Sequence, residues 1–209
     1  WCIPAPPGSG RAASGADRGE PRFGREPAGN ELAEPLSSHG VRFEVEQARL
    51  YSLPDEPPDI AVAAAKPLAA ELAGRVADAF INTSPDSEPI EQFESAGGKG
   101  KPKYGQITGC WAASEEEGAK IACAVWPNAA LSGDLTYELP LPLHFEQATE
   151  NVKPEDLAEA IPCGPDADRW LEDIRAYEQA GYTHVYFHQI GRDQEGFLRF
   201  WSEELEPRL

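Results

Sequence analysis

The chain has 209 residues, 41% of them hydrophobic, and carries 36 Asp and Glu against 18 Lys and Arg, a formal net charge of -18. That length suits one domain or two and supplies enough apolar residues for a sizeable core. The charge argues against nucleic acid as a partner, because phosphate binding draws on an excess of Lys and Arg; no apolar run approaches the roughly 20 residues that a membrane span needs.

The chain begins with Trp1 and contains no methionine, so a fragment, a processed product or an incomplete gene reading is expected. Residues 1–38 are rich in Pro, Gly, Ala and Arg and show neither helical nor strand period. Such a segment cannot bury enough surface to offset its ordering entropy, so it reads as disordered or unrelated to the rest of the chain, and a frameshifted stretch would look the same. It also lacks the continuous apolar stretch of a signal peptide. A domain is expected over 39–209.

Regular signals begin near Gly40. "VRFEVEQARLYSLP" holds two short extended pieces stopped by Pro54. "DIAVAAA" (59–65) is a short apolar run bounded by polar residues and Pro, as in a buried strand. Pro67 suits the first position of a helix, and Leu68, Leu72 and Val76 at i, i+4 and i+8 lie on one face of it, to about Ala77. "AFINTS" (79–84) predicts a second strand, and "EPIEQFESAGG" a helix closed by Gly97. "KYGQITGCWAA" (103–113) predicts a third strand. Ser114 caps the next helix, with Glu116 and Glu117 near its positive end, and Pro127 ends it. A long excursion from 128 to 164 contains a Pro-rich loop, "ELPLPLHFEQA", with His144, and a helix opened by Pro154. Asp166 starts a helix with Leu171, Ile174 and Tyr177 on one face and Gly181 as its stop. "THVYFHQI" (183–190) is the fourth strand, and "QEGFLRFWSEELEPRL" a final helix capped by Asp193.

Strands and helices thus alternate four times, which predicts an α/β fold with a parallel sheet and right-handed crossovers. The pattern fits half of an eightfold barrel or a small open sheet. In both, the carboxyl ends of the strands form the site side. His188 and Gln189 sit at such an end and are candidate pocket residues; the alternative is a satisfied polar pair. The turn Ala64–Lys66 before the Pro-started helix suits an anion, with backbone amides, the helix dipole and the Lys66 charge nearby; without a glycine pattern, the alternative is an ordinary βα turn. Thr83 and Ser84 end the second strand, where their hydroxyls either meet a ligand or cap the next segment. His144 reads as structural or solvated. Cys2, Cys110, Cys123 and Cys163 form no CxxC pair and match no zinc spacing, so reduced thiols in a cytoplasmic protein are expected. The chain contains no HExxH, no GxGxxG and no Ser/His/Asp set.

Six stretches taken together, "EQARLYSLPDEPP", "AELAGRVADAFINTSPD", "KPKYGQITGCWA", "VWPNAA", "ELPLPLHFEQA" and "THVYFHQIGRDQEGFLRFW", resemble the coenzyme F420 (deazaflavin)-dependent oxidoreductases of the glucose-6-phosphate dehydrogenase family, in the luciferase-like monooxygenase superfamily. The resemblance covers about Gly40 to Leu209 and matches the C-terminal half of that family. It implies the second half of a (β/α)8 TIM barrel with one long insertion, and hydride transfer between an alcohol-type substrate and the deazaflavin. It also implies homo-oligomers for the full-length proteins, with neither nucleic acid nor membrane as a partner. FMN is the alternative coenzyme within the superfamily, and a non-catalytic truncated product or residual binding module the alternative function. The family's proton-handling residues fall in the other half, so no catalytic residue is assigned and the chain alone is expected to be inactive. Coenzyme-tail contacts fall on Ala65, Lys66, Leu68 and Ala69, where relatives often have glycine at Lys66. The sugar-facing threonine matches Thr83, and His188 and Gln189 line the same pocket. Positions that grip the sugar phosphate with basic residues hold Asp86, Glu159 and Glu195. Three carboxylates repel a phosphate dianion, which turns the expectation toward an uncharged substrate.

Overall fold

The computed structural model describes residues 36–39, 44–48, 51–52, 54–133 and 135–209. They divide into two compact units, one ending at Ile60 and one running from Ala61 to Leu209. In the first, β1 (Leu36–His39) pairs antiparallel with β2 (Glu44–Ala48). β2 is one of the two extended pieces expected before Pro54. The segment expected to be irregular lies outside the described residues, apart from 36–38, which belong to β1.

The second unit is built on a four-stranded parallel sheet in sequential order: β3 (Ala61–Ala63), β4 (Ala79–Asn82), β5 (Lys103–Gly109) and β6 (His184–Gln189). α1 (Pro67–Val76) joins β3 to β4. α2 (Ser87–Phe93), extended to Gly98 by a wide turn, joins β4 to β5. Gly97 closes that segment at φ 110°, a conformation that favours glycine. Between β5 and β6 run α3 (Glu115–Val125), α4 (Leu135–Glu138), α5 (Pro142–Thr149), α6 (Pro154–Ala160) and α7 (Ala167–Ala180). α8 (Gln194–Phe200) comes after β6.

The caps form as the sequence dictates. Ser114 accepts from the Glu117 amide, Asp166 from Asp168 and Asp193 from Gly196. Gly181 ends α7 in the left-handed region at φ 99°.

Packing selects the buried face of α1, and one expectation is corrected. Leu68, Leu72 and Val76 do not face the core; they are 80%, 54% and 40% exposed. The buried face of α1 is Ala70, Ala73 and Gly74. Small residues win there because α1 lies close against α2: a Cβ on Gly74 would stand 2.3 Å from the Phe93 carbonyl oxygen. The Pro-rich stretch is helical from Pro142 onward rather than a loop throughout. Pro142 takes the first position of α5, where its missing N–H costs nothing, so His144 lies on a helix.

The main core fills the space between the sheet and α1, α2, α7 and α8 around Phe80, Phe93, Trp170, Leu171 and Phe200. A second cluster, with Cys110, Ala122, Leu157, Ile161 and Cys163, lies under α3 and α6.

Candidate functional site

Strand alternation divides the sheet residues between two faces. Phe80, Lys103, Gly105, Ile107 and Gly109 face the helices and are buried. The other face carries register rows across the sheet. One row is Ala63, Ile81, Tyr104 and His184. Toward the carboxyl ends, Gln106 stands beside Tyr186 and Thr108 beside His188. Tyr186 is 40% exposed on this face. A helix-covered face and an open, polar and aromatic face are what one side of a barrel wall presents.

The residues expected to hold a ligand sit at the carboxyl end of this wall. β3 hands over to α1 through Ala65 and Lys66. Lys66 is the extended residue before the helix (φ -121°, ψ 149°) and gives it no side-chain cap. The first-turn amides of Leu68 and Ala69 therefore have no intrahelical partner and carry the positive end of the helix dipole. Ala65 and Ala69 leave the backbone approachable, and the Lys66 ammonium stands 5.9 Å from the Tyr137 ring centroid.

Thr83 is exposed at the end of β4, its amide tied to Asn82 Oδ1 at 2.7 Å. The Ser84 hydroxyl donates to Asp86 Oδ2 at 2.9 Å. Asp86, Glu159 and Glu195 are all exposed.

The structure separates the pair at the end of β6. His188 lies on the open face, its Nδ1 3.5 Å from the Thr108 hydroxyl and its ring edge-on to Trp126 at 4.9 Å. Gln189 points the other way. Its Oε1 accepts the Trp111 amide at 2.8 Å and its Nε2 donates to the Trp111 carbonyl at 3.1 Å. Both polar atoms of Gln189 are thus committed to protein. It positions the strand ends, and His188 alone of the two offers a group to the open face.

Beside Trp111 a cavity of about 480 Å³ opens between α3 and the loop after β6, with Ile121, Val125 and Arg192 in its wall. Among the described residues the buried Trp111 indole N–H has no partner. Sequence reasoning missed Gln106, Thr108 and Trp126. The alternation of "KYGQITG", with Lys, Gly, Ile and Gly against Tyr, Gln and Thr, carried the signal for the first two. Among the described residues no helix is long and apolar enough to cross a membrane.

Comparison with known proteins adds sequence relatives. No family model matches the chain. It is similar to the F420-dependent glucose-6-phosphate dehydrogenase of Microbacterium testaceum, 28% identical over 193 residues, covering 86% of this chain and 57% of that protein. It is 32% identical over 184 residues to the one of Nocardia farcinica, covering 81% and 54%. The chain spans about half the length of these curated relatives. Two solved structures share the fold. One is an F420-dependent secondary alcohol dehydrogenase in complex with an F420–acetone adduct, with a TM-score of 0.66 and 19% identity over 83% of this chain and 56% of that one. The other is the coenzyme F420-dependent tetrahydromethanopterin reductase of Methanopyrus kandleri, with a TM-score of 0.56 and 17% identity over 84% and 58%. By sequence, and with a four-stranded parallel α/β sheet that superposes on F420-dependent enzymes, the chain is a relative of the F420-dependent glucose-6-phosphate dehydrogenases.

Proposed function

We propose that the chain supplies part of the coenzyme and substrate cleft of an F420-dependent oxidoreductase acting on an uncharged alcohol. The observation that carries this reading is the turn from β3 into α1, which fits the anionic tail of such a coenzyme. Its amides are uncapped, its side chains at Ala65 and Ala69 are methyl groups, and Lys66 adds a positive charge beside it. A deazaflavin whose anionic tail is held by the Leu68 and Ala69 amides beside Lys66 would supply the hydride acceptor or donor for the carbinol carbon of the substrate.

The residues of this chain bind and orient. Leu68 and Ala69 offer backbone N–H groups to a phosphate, and Leu68 also presents an exposed apolar side chain at that turn. Thr83 and His188 face the substrate side, and Gln189 holds the strand ends in place through Trp111. Asp86, Glu159 and Glu195 place negative charge where a phosphorylated substrate needs cations, so an uncharged alcohol is favoured over a sugar phosphate. The reading assigns no proton transfer to these residues, and the chain by itself is expected to bind rather than turn over.

Titration of the chain with coenzyme F420, followed by the fluorescence of the coenzyme, tests this. Saturable binding is expected, weakened by Lys66→Glu, which sets a carboxylate against the phosphate. No saturable binding to the folded chain would sink the proposal.

A further inference from the structure

Two cysteines that the proposed cleft does not use face each other where β5 runs out. The Cys110 amide donates to the Pro162 carbonyl, and the Cys110 carbonyl accepts from the Gly164 amide, each at 2.9 Å. These two bonds bracket Cys163 and set it in parallel register opposite Cys110. Residues in register on adjacent strands project to one face, and such strands lie about 4.8 Å apart. The Cα atoms of a disulfide span roughly 4.4–6.8 Å, so the backbone already holds the pair at cross-linking range.

Both are free thiols in one buried cluster, Cys110 0% and Cys163 5% exposed. α3 seals them closely: a Cβ on Gly118 would stand 2.6 Å from the Cys110 carbonyl oxygen and 3.4 Å from Cys163 Cβ. Burial pushes the Cys163 thiol up to about 12, and the neighbouring Cys110 adds to the rise. The Cys123 thiol donates to the Val152 carbonyl at 3.5 Å and is committed elsewhere. Between Cys110 and Cys163 runs the excursion from α3 to α6. Neither α4 nor α5 buries a side chain, so the excursion is anchored through α3 and α6 in the cluster around these two cysteines. It carries Trp126, edge-on to His188, and Tyr137, beside Lys66. How firmly its two ends are held therefore bears on the open face.

We propose that Cys110 and Cys163 are a site of reversible oxidation by small disulfides, and that the bond formed between them fastens the excursion to the end of β5. One protein thiolate attacks the small disulfide and displaces a small thiol. The second protein thiol then attacks the mixed disulfide and displaces the other small thiol. The protein gives up two electrons and two protons, and the small disulfide takes up both. Because the pair is buried, exchange proceeds through opening of α3 and α6 and is slow; the position of equilibrium reports the geometry. The pair shares no residue with the coenzyme and substrate cleft, and its test needs no coenzyme, so either proposal can fail without the other.

The experiment equilibrates the full chain in glutathione buffers of graded oxidation, quenches it with acid and maps the disulfides by mass spectrometry. A Cys110–Cys163 link is expected, with a linked-to-free ratio at least about tenfold higher in the folded chain than in urea, the gain of a pair that the fold holds in register. Dithiothreitol is expected to remove it, and Cys123→Ser to leave the ratio unchanged. The linked chain is expected to melt at a higher temperature, because the closed loop restricts the unfolded state. Its loss of stability above pH 9 is expected to shrink, because no thiol remains at Cys163 to ionise on unfolding. The comparison with urea uses the unmodified chain, so it does not depend on a cysteine variant folding. A linked fraction no higher in the folded chain than in urea overturns the proposal. So does a link that joins Cys110 or Cys163 to Cys123 instead, or a linked chain that melts lower than the reduced one.

Discussion

The Gln189 side chain accepts the Trp111 amide and donates to the Trp111 carbonyl, so one residue ties the end of β6 to the end of β5. Gln189→Ala leaves both Trp111 groups unmatched in a partly buried site, at about 1–3 kcal/mol for each orphan. Gln189→Glu keeps the acceptor and removes the donor, and is expected to lose less than the alanine variant; urea unfolding of the two checks the order. At the same scale, burial pushes the Cys110 thiol up and lifts Cys163 from 9.0 to about 12. Below pH 9 the Cys163 thiol is protonated whether the chain is folded or not, so it adds no pH dependence. Between pH 9 and 12 the unfolded chain releases a proton that the folded chain keeps, and stability falls as pH rises. Burial of Tyr182, whose phenol is raised from 10.0 to about 12, acts in the same direction over the upper part of that window. Thermal melts are expected to be level toward pH 9 and to drop steeply above it; a flat profile to pH 11 would contradict this. That Cys110 and Cys163 adjoin in one buried cluster was not legible in the sequence, because they lie 53 positions apart (163 − 110) and meet only through the bridge beyond β5.

Elements are legible in the sequence where the signal is local. Caps at Ser114, Asp166 and Asp193, the Pro67 start of α1 and the Gly181 stop of α7 all depend on residues within one turn, and all form. Ser114→Ala is expected to cost about 1 kcal/mol, the ordinary value of an N-cap, read from the urea midpoint. The face of α1 is not legible in this way, because period gives a helix its stripe but not its partner. Leu68, Leu72 and Val76 form the stronger stripe, yet the tight approach of α2 selects Ala70, Ala73 and Gly74. The same logic governs α7 on β5. A Cβ on Gly105 would lie 2.2 Å from Tyr177 Cδ1, and one on Gly109 2.5 Å from Trp170 Cη2. Gly105→Ala is expected to destabilise by about 1–3 kcal/mol through overpacking. Gly100→Ala, with nothing within 4 Å of the new atom, tests only the strain of its φ of 83°. A larger loss for the exposed Gly100 site than for Gly105 would show that close packing of α7 is not the controlling contact.

For the molecule as a whole, among the described residues the sheet leaves one edge at β3, another at β6, and an open face with exposed Thr83, His184 and Tyr186. Parallel sheets are ordinarily covered on both faces, and free edges pair with other strands. A net charge of -18 opposes self-association until salt screens it. Sedimentation is therefore expected to show association rising with salt; a single monomer species from low to high ionic strength would argue that the face and edges are inert.

The sequence by itself determined the kind and order of the elements in the parallel sheet, because caps, breakers and period act over a few residues. It also located the strand ends that hold Ala65, Thr83 and His188. Only the tertiary structure decided that Gln189 serves Trp111 and that Cys163 comes into register with Cys110 where β5 ends. The bonds between Gln189 and Trp111 join residues 78 positions apart. Whether a polar group is spent or left open depends on where a neighbouring strand stops, and no local pattern records that.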